Sequence, residues 1–235
     1  MNTEPEDDMW LAWQEAAPRI YDKTYYSGNS LVARVNLSGH RLVERPFGPA
    51  DHFANVLEVG AGTGVHLPYV RHQFDRYVIS DVSQDLLAIA EKRLSSRDGL
   101  EFAIEDATRL SYPDASFDRL ISIYNLEHLP QPHCVLKEWR RVLKPGGILS
   151  IAIPLDGGLA WRVGRHLTTR RSFADEGLDL DYIIAREHIN PSYNLISLIQ
   201  YYFPERRESW YPLGVHLVDI NLVYCCSVKL AGSSE

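Results

Sequence analysis

Three glycines at alternate positions, Gly60, Gly62 and Gly64, follow the apolar run Val56-Leu57-Glu58-Val59, and two later apolar runs end in Asp81 and Asp106. Glycine is needed in such a place because a side chain would clash in the turn or hold the backbone away from a ligand. The stretch is predicted to be a strand, a tight turn and then a helix. The unpaired N–H groups and positive dipole end of that helix would face whatever fills the turn. The chemistry indicated is capture of a nucleotide-bearing cofactor. Two histidines are candidates for proton transfer beside it: His128, four residues past Tyr124, and His188, in Arg186-Glu187-His188-Ile189-Asn190-Pro191. Imidazole titrates near neutrality, which suits a general base.

The spacing decides between cofactors. A dinucleotide turn reads G-x-G-x-x-G, with an acid about 20 residues on to hold the ribose. Here Val65 takes the place of the third glycine, and Glu58 stands just ahead of the first, where it would face a pyrophosphate. Like charges make that a poor arrangement. An acid is well placed if the ligand brings an ammonium and a sulfonium, as S-adenosylmethionine (SAM) does. A nicotinamide-dependent oxidoreductase is therefore disfavoured by Val65 and Glu58.

The elements that must position these residues alternate along the chain. Residues 77–81 are predicted to be a second strand whose terminal Asp81 can accept hydrogen bonds from both ribose hydroxyls, and Ser83 offers a helix N-cap. A third strand over 100–104 runs into Glu105-Asp106-Ala107, where a carboxylate beside a backbone N–H can read the adenine amino group and ring nitrogen. A fourth strand spans 116–124, a helix 136–143 and a fifth strand 148–153, with Lys144-Pro145-Gly146-Gly147 as a sharp stop between the last two. Strand–helix alternation implies parallel pairing with helices on both faces.

The segment 56–154 resembles the core of class I SAM-dependent methyltransferases, above all the type-11 group that includes the quinone-biosynthesis enzymes. The matching pieces are the turn from Glu58 to Gly64, Asp81-Val82-Ser83, Asp106-Ala107, Ser116-Phe117-Asp118, Leu126-Glu127-His128, and Glu138-x-x-Arg141-Val142-Leu143-Lys144-Pro145-Gly146-Gly147. The resemblance implies an α/β, Rossmann-like three-layer sandwich with a mostly parallel seven-stranded sheet and an antiparallel last strand. It also implies a methyltransferase that converts SAM to S-adenosylhomocysteine. By the same analogy, Glu58, Gly60, Ala61 and Gly62 flank the methionine part of the cofactor, with Tyr124 and Asn125 beside its ammonium. Asp81 takes the ribose, Val82 packs on adenine, and Asp106 and Ala107 read its edge.

Composition agrees with a globular enzyme: 235 residues, 45% hydrophobic and 23% charged, room for one sizeable core. A formal charge of −7 argues against broad binding to nucleic acid or anionic membranes. Cys134, Cys225 and Cys226 form neither a disulfide framework nor a C-x-x-C ligand set. No acid cluster of the kind that holds Mg²⁺ is visible, so no metal is expected. The start, Met1-Asn2-Thr3-Glu4-Pro5-Glu6-Asp7-Asp8, is acidic, unlike a secretory leader, and the expected location is cytoplasmic, without membrane insertion. Residues 1–9 are expected to be a disordered acidic terminus. Residues 10–235 are expected to form a single domain, with 10–50 as an N-terminal helical cap and 155–205 as an acceptor-side insertion.

Within the cap, 10–26 and 31–42 are helix-compatible, and Tyr21, with Tyr25 and Tyr26, offers a lid over the cofactor or plain packing. Beyond Pro154, helices are expected over 157–171 and 193–203, a loop over 187–191, and strand-like runs over 210–213 and 218–228. Arg162, Arg165, His166 and Arg170 would share one helix face, to hold an acceptor carboxylate or phosphate or to pair with nearby Asp175, Glu176, Asp179 and Asp181. His66 is either at the cofactor's edge or in a first helical turn, and Glu127 is a structural or helix-start acid. The Asn/Asp-Pro-Pro-aromatic run of exocyclic base methylases is replaced by Asn125-Leu126-Glu127-His128, and a Pro-Cys nucleophile is missing. The expected acceptor is a small molecule methylated on O or N, an acidic metabolite or nucleotide-linked sugar; the alternative is a non-catalytic SAM-binding scaffold or partner subunit.

Overall fold

The computed structural model describes residues 8–20, 30–94 and 97–232. Seven strands lie in the order β3-β2-β1-β4-β5-β7-β6. They are β1 His52–Val59, β2 Gln73–Asp81, β3 Leu100–Ile104, β4 Phe117–Ile123, β5 Leu143–Pro154, β6 Arg207–Tyr211 and β7 Val223–Lys229. The first five are parallel, and β7 runs antiparallel to both β5 and β6. The expected mostly parallel sheet with an antiparallel last strand is present, although β7 lies inside the sheet and β6 forms the edge.

Period-two alternation sorts the strand side chains onto two faces. Leu57, Val78, Leu120 and Ile151 join a core with α4 (Pro132–Val142) and α8 (Ser192–Tyr202). Val56, Tyr77, Ile79, Ile121 and Ala152 join a second core with α2 (Leu31–Glu44) and α3 (Gln84–Leu94). Burial on both faces explains why the strands read as continuous apolar runs. A third cluster gathers Trp13 and Ile20 of α1 (Asp8–Ile20) with Phe173 of α6 (Thr169–Ala174) and Leu180 and Ile183 of α7 (Leu180–Glu187). Helix α5 spans Leu159–Leu167.

Motif residues hold the strand ends. Asp118 accepts from the Asn55 N–H (2.8 Å) and pairs with Lys144 (2.8 Å), tying β1, β4 and β5. Arg141 forks onto Glu138 and Asp114 and donates to the Tyr112 and Leu110 carbonyls, while Glu138 accepts from the Leu110 N–H. These contacts pin the connection from β3 to β4.

The structure departs from several expectations. No α-helix follows the glycine turn; a single 3₁₀ turn, Leu67–Tyr69, does. Gly62, Gly64 and Pro68 crowd the short connection between β1 and β2, leaving no run that can propagate an α-helix. The Lys144–Gly147 stop is instead a register shift inside β5, opposite Phe117 and Arg119. The helix expected over 157–171 breaks at Thr168, whose hydroxyl donates to the Gly164 carbonyl (2.7 Å). Asp8 and Met9, placed in the disordered terminus, open α1; the rest of that stretch lies outside the described residues. Tyr21, Tyr25 and Tyr26 also lie outside the described residues. Helix α7 was not foreseen. Ser83 does cap α3, accepting from the Leu86 N–H (3.3 Å).

Candidate active site

Strand order reverses between β1 and β4, the position at which open α/β sheets leave a crevice at their carboxyl ends. A cavity of about 260 Å³ occupies it. The glycine turn forms its floor. Gly60 has φ +67°, and a Cβ there would fall 2.3 Å from the Asn125 side chain, while Gly62 has φ +54° and a Cβ there would meet no atom within 4 Å. The first glycine is required by a close approach; the second leaves open space for a ligand.

Asp81 braces this turn. One carboxylate oxygen accepts from the Gly62 N–H (2.8 Å) and the other from the Ser83 N–H (2.9 Å), which leaves lone pairs on both oxygens for ribose hydroxyls. Glu58 is buried and accepts from the Tyr77 hydroxyl (2.7 Å); burial raises its pKa. Tyr124, the residue just past β4, has φ +53°, a conformation that a bulky residue keeps only when its surroundings enforce it. Its hydroxyl donates to the Asn36 carbonyl of α2 (2.9 Å).

Four titratable groups converge on the opposite wall. His188 Nδ1 lies 2.7 Å from Asp156 Oδ2, and His128 Nδ1 lies 3.0 Å from the Glu187 carbonyl oxygen. Both acceptors take an N–H, so Nδ1 of each ring carries a proton, and the neutral form of each ring keeps its lone pair on Nε2. The rings meet edge to face, 4.8 Å between centroids. Burial, with a smaller contribution from His188, lowers the His128 pKa to about 4. Burial pulls His188 down too, but its bond to Asp156 and the nearby Glu127 carboxylate outweigh that and raise it. Burial raises Glu127 to about 8.

Asn190 brings the two histidines together. Its backbone N–H donates to the Glu127 carbonyl (3.1 Å), and its side-chain amide donates to the carbonyls of Leu126, Glu127 and Leu129 (3.2, 3.3 and 2.7 Å). The α7–α8 loop is thereby clipped to the turn after β4.

Of the expected residues, Glu58, Gly60, Ala61, Gly62, Asp81, Tyr124, Asn125, His128 and His188 line the cavity. Val82, Asp106 and Ala107 lie outside its lining. Val82 is exposed, Asp106 caps Thr108 (2.8 Å), and the Ala107 carbonyl accepts from the Trp139 indole (3.0 Å). His66 is buried against Glu44 and His40, neither at the cavity nor in an α-helix. The arginine face divides: Arg170 pairs with Asp181, while Arg165 lies over Trp161 and reaches the cavity. Sequence reasoning missed Asn36, His40 and Asp156, whereas Arg165 was expected on a basic acceptor-side helix face. Only Asp156 carried a signal, an acid just past the end of β5.

An open glycine cradle, a carboxylate with spare lone pairs at the end of β2 and a buried acid below the turn fit an adenosyl cofactor with a cationic tail. Residues 57–151 match the type-11 family model for a methyltransferase domain. Over that stretch the chain is similar to the class I SAM-dependent methyltransferases, whose cofactor is SAM. The chain is 34% identical over 134 residues to Methyltransferase GfsG of Streptomyces halstedii, covering 54% of this chain and 48% of the relative. It is 35% identical over 96 residues to the demethylmenaquinone methyltransferase of Clavibacter sepedonicus, covering 41% and 39%. The chain thus spans less than half the length of each of these curated relatives. Its fold is shared with N-methyltransferase NodS of Bradyrhizobium japonicum in complex with S-adenosylhomocysteine. There the TM-score is 0.58, with 17% identity and coverage of 93% of this chain and 98% of that one.

Proposed function

We propose that this chain transfers the methyl group of SAM to an oxygen or nitrogen of a small-molecule acceptor with an apolar body. The observation that carries this reading is one cavity with the bare Gly62 turn on one wall and, on the other, two imidazoles each held through Nδ1. SAM supplies a methyl group on a sulfonium sulfur; the protein's part is to orient the acceptor in line with it and keep water out. His188 takes the acceptor's proton on Nε2, held in the right tautomer by Asp156. His128, four residues past Tyr124, shapes the same wall.

The acceptor's body is assigned to a mostly apolar groove of about 500 Å³, lined by Leu31, Val35, Leu159, Val163 and Ile220, which shares Asn36, Trp161, Arg165 and Thr169 with the cavity. The relative named for demethylmenaquinone supports an acceptor of that kind. Acidic metabolites and nucleotide-linked sugars have less support, because Arg165 alone of the expected basic face lines the cavity. An acceptor-side wall that displays Asp156, His128 and His188 to the cavity supports an enzyme over a non-catalytic scaffold. A small-molecule acceptor and a cytoplasmic location, with no nucleic acid and no membrane insertion, complete the reading; no described helix is long and apolar enough to cross a membrane.

Calorimetric titration with SAM, S-adenosylhomocysteine and NAD(H) tests the cofactor. Both adenosyl ligands are expected to bind, and Asp81→Ala is expected to weaken them at least about tenfold, the ~1.4 kcal/mol typical of a lost charge-assisted hydrogen bond. Binding of NAD(H) alone would overturn the reading. Transfer of labelled methyl to quinols and phenols, lost in His188→Asn with SAM affinity unchanged, tests the acceptor side.

A further inference from the structure

Glu127, His128 and His188 present one ligand-type atom each, all within 4.8 Å of one another, on the acceptor wall of the cavity. Both imidazoles have Nδ1 engaged, on the Glu187 carbonyl and on Asp156, so the free nitrogen of each is Nε2. That is how metal-binding imidazoles are held: one ring N–H to a carbonyl or carboxylate, the other nitrogen to the ion. A centroid separation of 4.8 Å with the rings at 89° matches two imidazoles sharing one ion at about 2.1 Å.

The carboxylates supply a second, independent observation. Glu127 is 1% exposed, and its Oε2 has no hydrogen-bond partner; Asp156 Oδ1 is likewise buried without one. Among the described residues the only ion-pair partners of these two acids are His128 (3.8 Å) and His188 (2.7 Å), with no lysine or arginine on either. Two acids without a fixed cation, one beside His128 Nε2 and one holding the Nδ1–H of His188, form an arrangement that a cation would complete.

We infer that Glu127, His128 and His188 bind one divalent transition-metal ion, with Asp156 as the outer partner that orients His188. Two imidazoles and one carboxylate are borderline donors, which favours the zinc, cobalt, nickel or iron(II) class over magnesium or calcium. Three protein ligands leave coordination positions open toward the cavity. The inference rests on, and deepens, the proposed methyl transfer: an acceptor hydroxyl bound at an open position gives up its proton to cavity water more readily, because the ion stabilises the oxyanion. The oxygen then forms its bond to the methyl carbon as the sulfur–carbon bond breaks, and the electron pair of that bond stays on sulfur as a neutral thioether. In that state the ion, and not a free His188, acidifies the acceptor. No motif spacing announces the site, since His188 lies far along the chain from Glu127-His128 and is delivered by the Asn190 clip.

The test is titration of chelator-treated full-length protein with Co²⁺, read by visible d–d absorption, with Zn²⁺ competition by calorimetry. The expected result is one ion per chain. Glu127→Gln and His188→Asn are each expected to weaken Co²⁺ at least a hundredfold, and Asp156→Asn about tenfold. S-adenosylhomocysteine titration of the same samples reports folding and the cofactor site, and it should be unchanged throughout. If the unsubstituted protein gives no Co²⁺ band, or binds Co²⁺ equally well after these substitutions, while S-adenosylhomocysteine still binds, the metal site is overturned and the free-imidazole reading stands. Failure of S-adenosylhomocysteine binding in the unsubstituted protein would instead defeat the methyltransferase reading itself.

Discussion

Gly62 and Gly60 share a turn but fail differently when substituted, and this separates binding from folding. A side chain at Gly62 enters open cavity, so Gly62→Val costs about 1–2 kcal/mol for the left-handed backbone and blocks the space for the cofactor. The expected outcome is a folded protein with a thermal midpoint lowered by about 2–8 °C and at least tenfold weaker S-adenosylhomocysteine binding. Gly60→Ala drives a methyl into Asn125 and should destabilise more, by calorimetry or denaturant titration. Unchanged ligand affinity in Gly62→Val would remove the turn from the cofactor site. These glycines, with Glu58, Asp81, Tyr124 and Asn125, were legible in the sequence because each marks the carboxyl end of a strand, a code written in neighbouring residues. His40 and Asn36 were not, because they reach the cavity from α2, whose placement depends on packing across the whole sheet.

The α7–α8 loop acts as one hinge-free clip because a single side chain, Asn190, holds three carbonyls of the turn after β4. Removing such buried, multiply bonded groups costs about 1–3 kcal/mol, so Asn190→Ala should lower stability by that amount in denaturant titration. It should also weaken the His128–His188 juxtaposition, read as loss of methyl transfer greater than loss of SAM affinity; equal losses would argue against a positioning role. Trp13 makes a comparable tie from α1, stacking on Phe173 (5.5 Å) and donating to Glu187 (2.6 Å). Trp13→Ala should cost about 3–5 kcal/mol and raise hydrogen exchange in α1, α6 and α7 ahead of the sheet. The strands and α2, α3, α4 and α8 were readable from apolar runs and cap signals. Helix α7 was hidden by its shortness, and the break at Thr168 by Gly164, which weakens the preceding turn without ending the helical pattern.

Acid stability ties the two halves of the fold together, because the sheet's charged core is anchored from α2. Glu44 accepts two bonds from Arg119 of β4 (2.6 and 3.1 Å) and one from His66 of the glycine-turn connection (3.1 Å), with all three side chains buried and His40 against His66. Burial pushes the Glu44 carboxyl up, yet the bond from His66 and the Arg119 charge prevail and hold its pKa down at about 2. A carboxylate lowered in the folded state contributes stability that is complete above its unfolded value near 4.5 and is lost as pH falls from there toward 2. The 2.5-unit gap corresponds to roughly 3 kcal/mol. His72 acts in a higher window. Burial, then the Arg119 charge, lowers its pKa to about 4, so its contribution is complete above about 6.5 and is lost between there and about 4. Denaturant midpoints measured from pH 8 to pH 2 should therefore fall in two stages. Glu44→Gln should cost on the order of 3–5 kcal/mol at neutral pH, because it leaves Arg119 buried without its charge partner. It should also flatten the lower stage, while the upper one, to which buried His128 contributes with His72, persists. If the substituted protein tracked the unsubstituted one in parallel below pH 4.5, the acid limb would belong to other groups and the α2–β4 anchor would not be its cause.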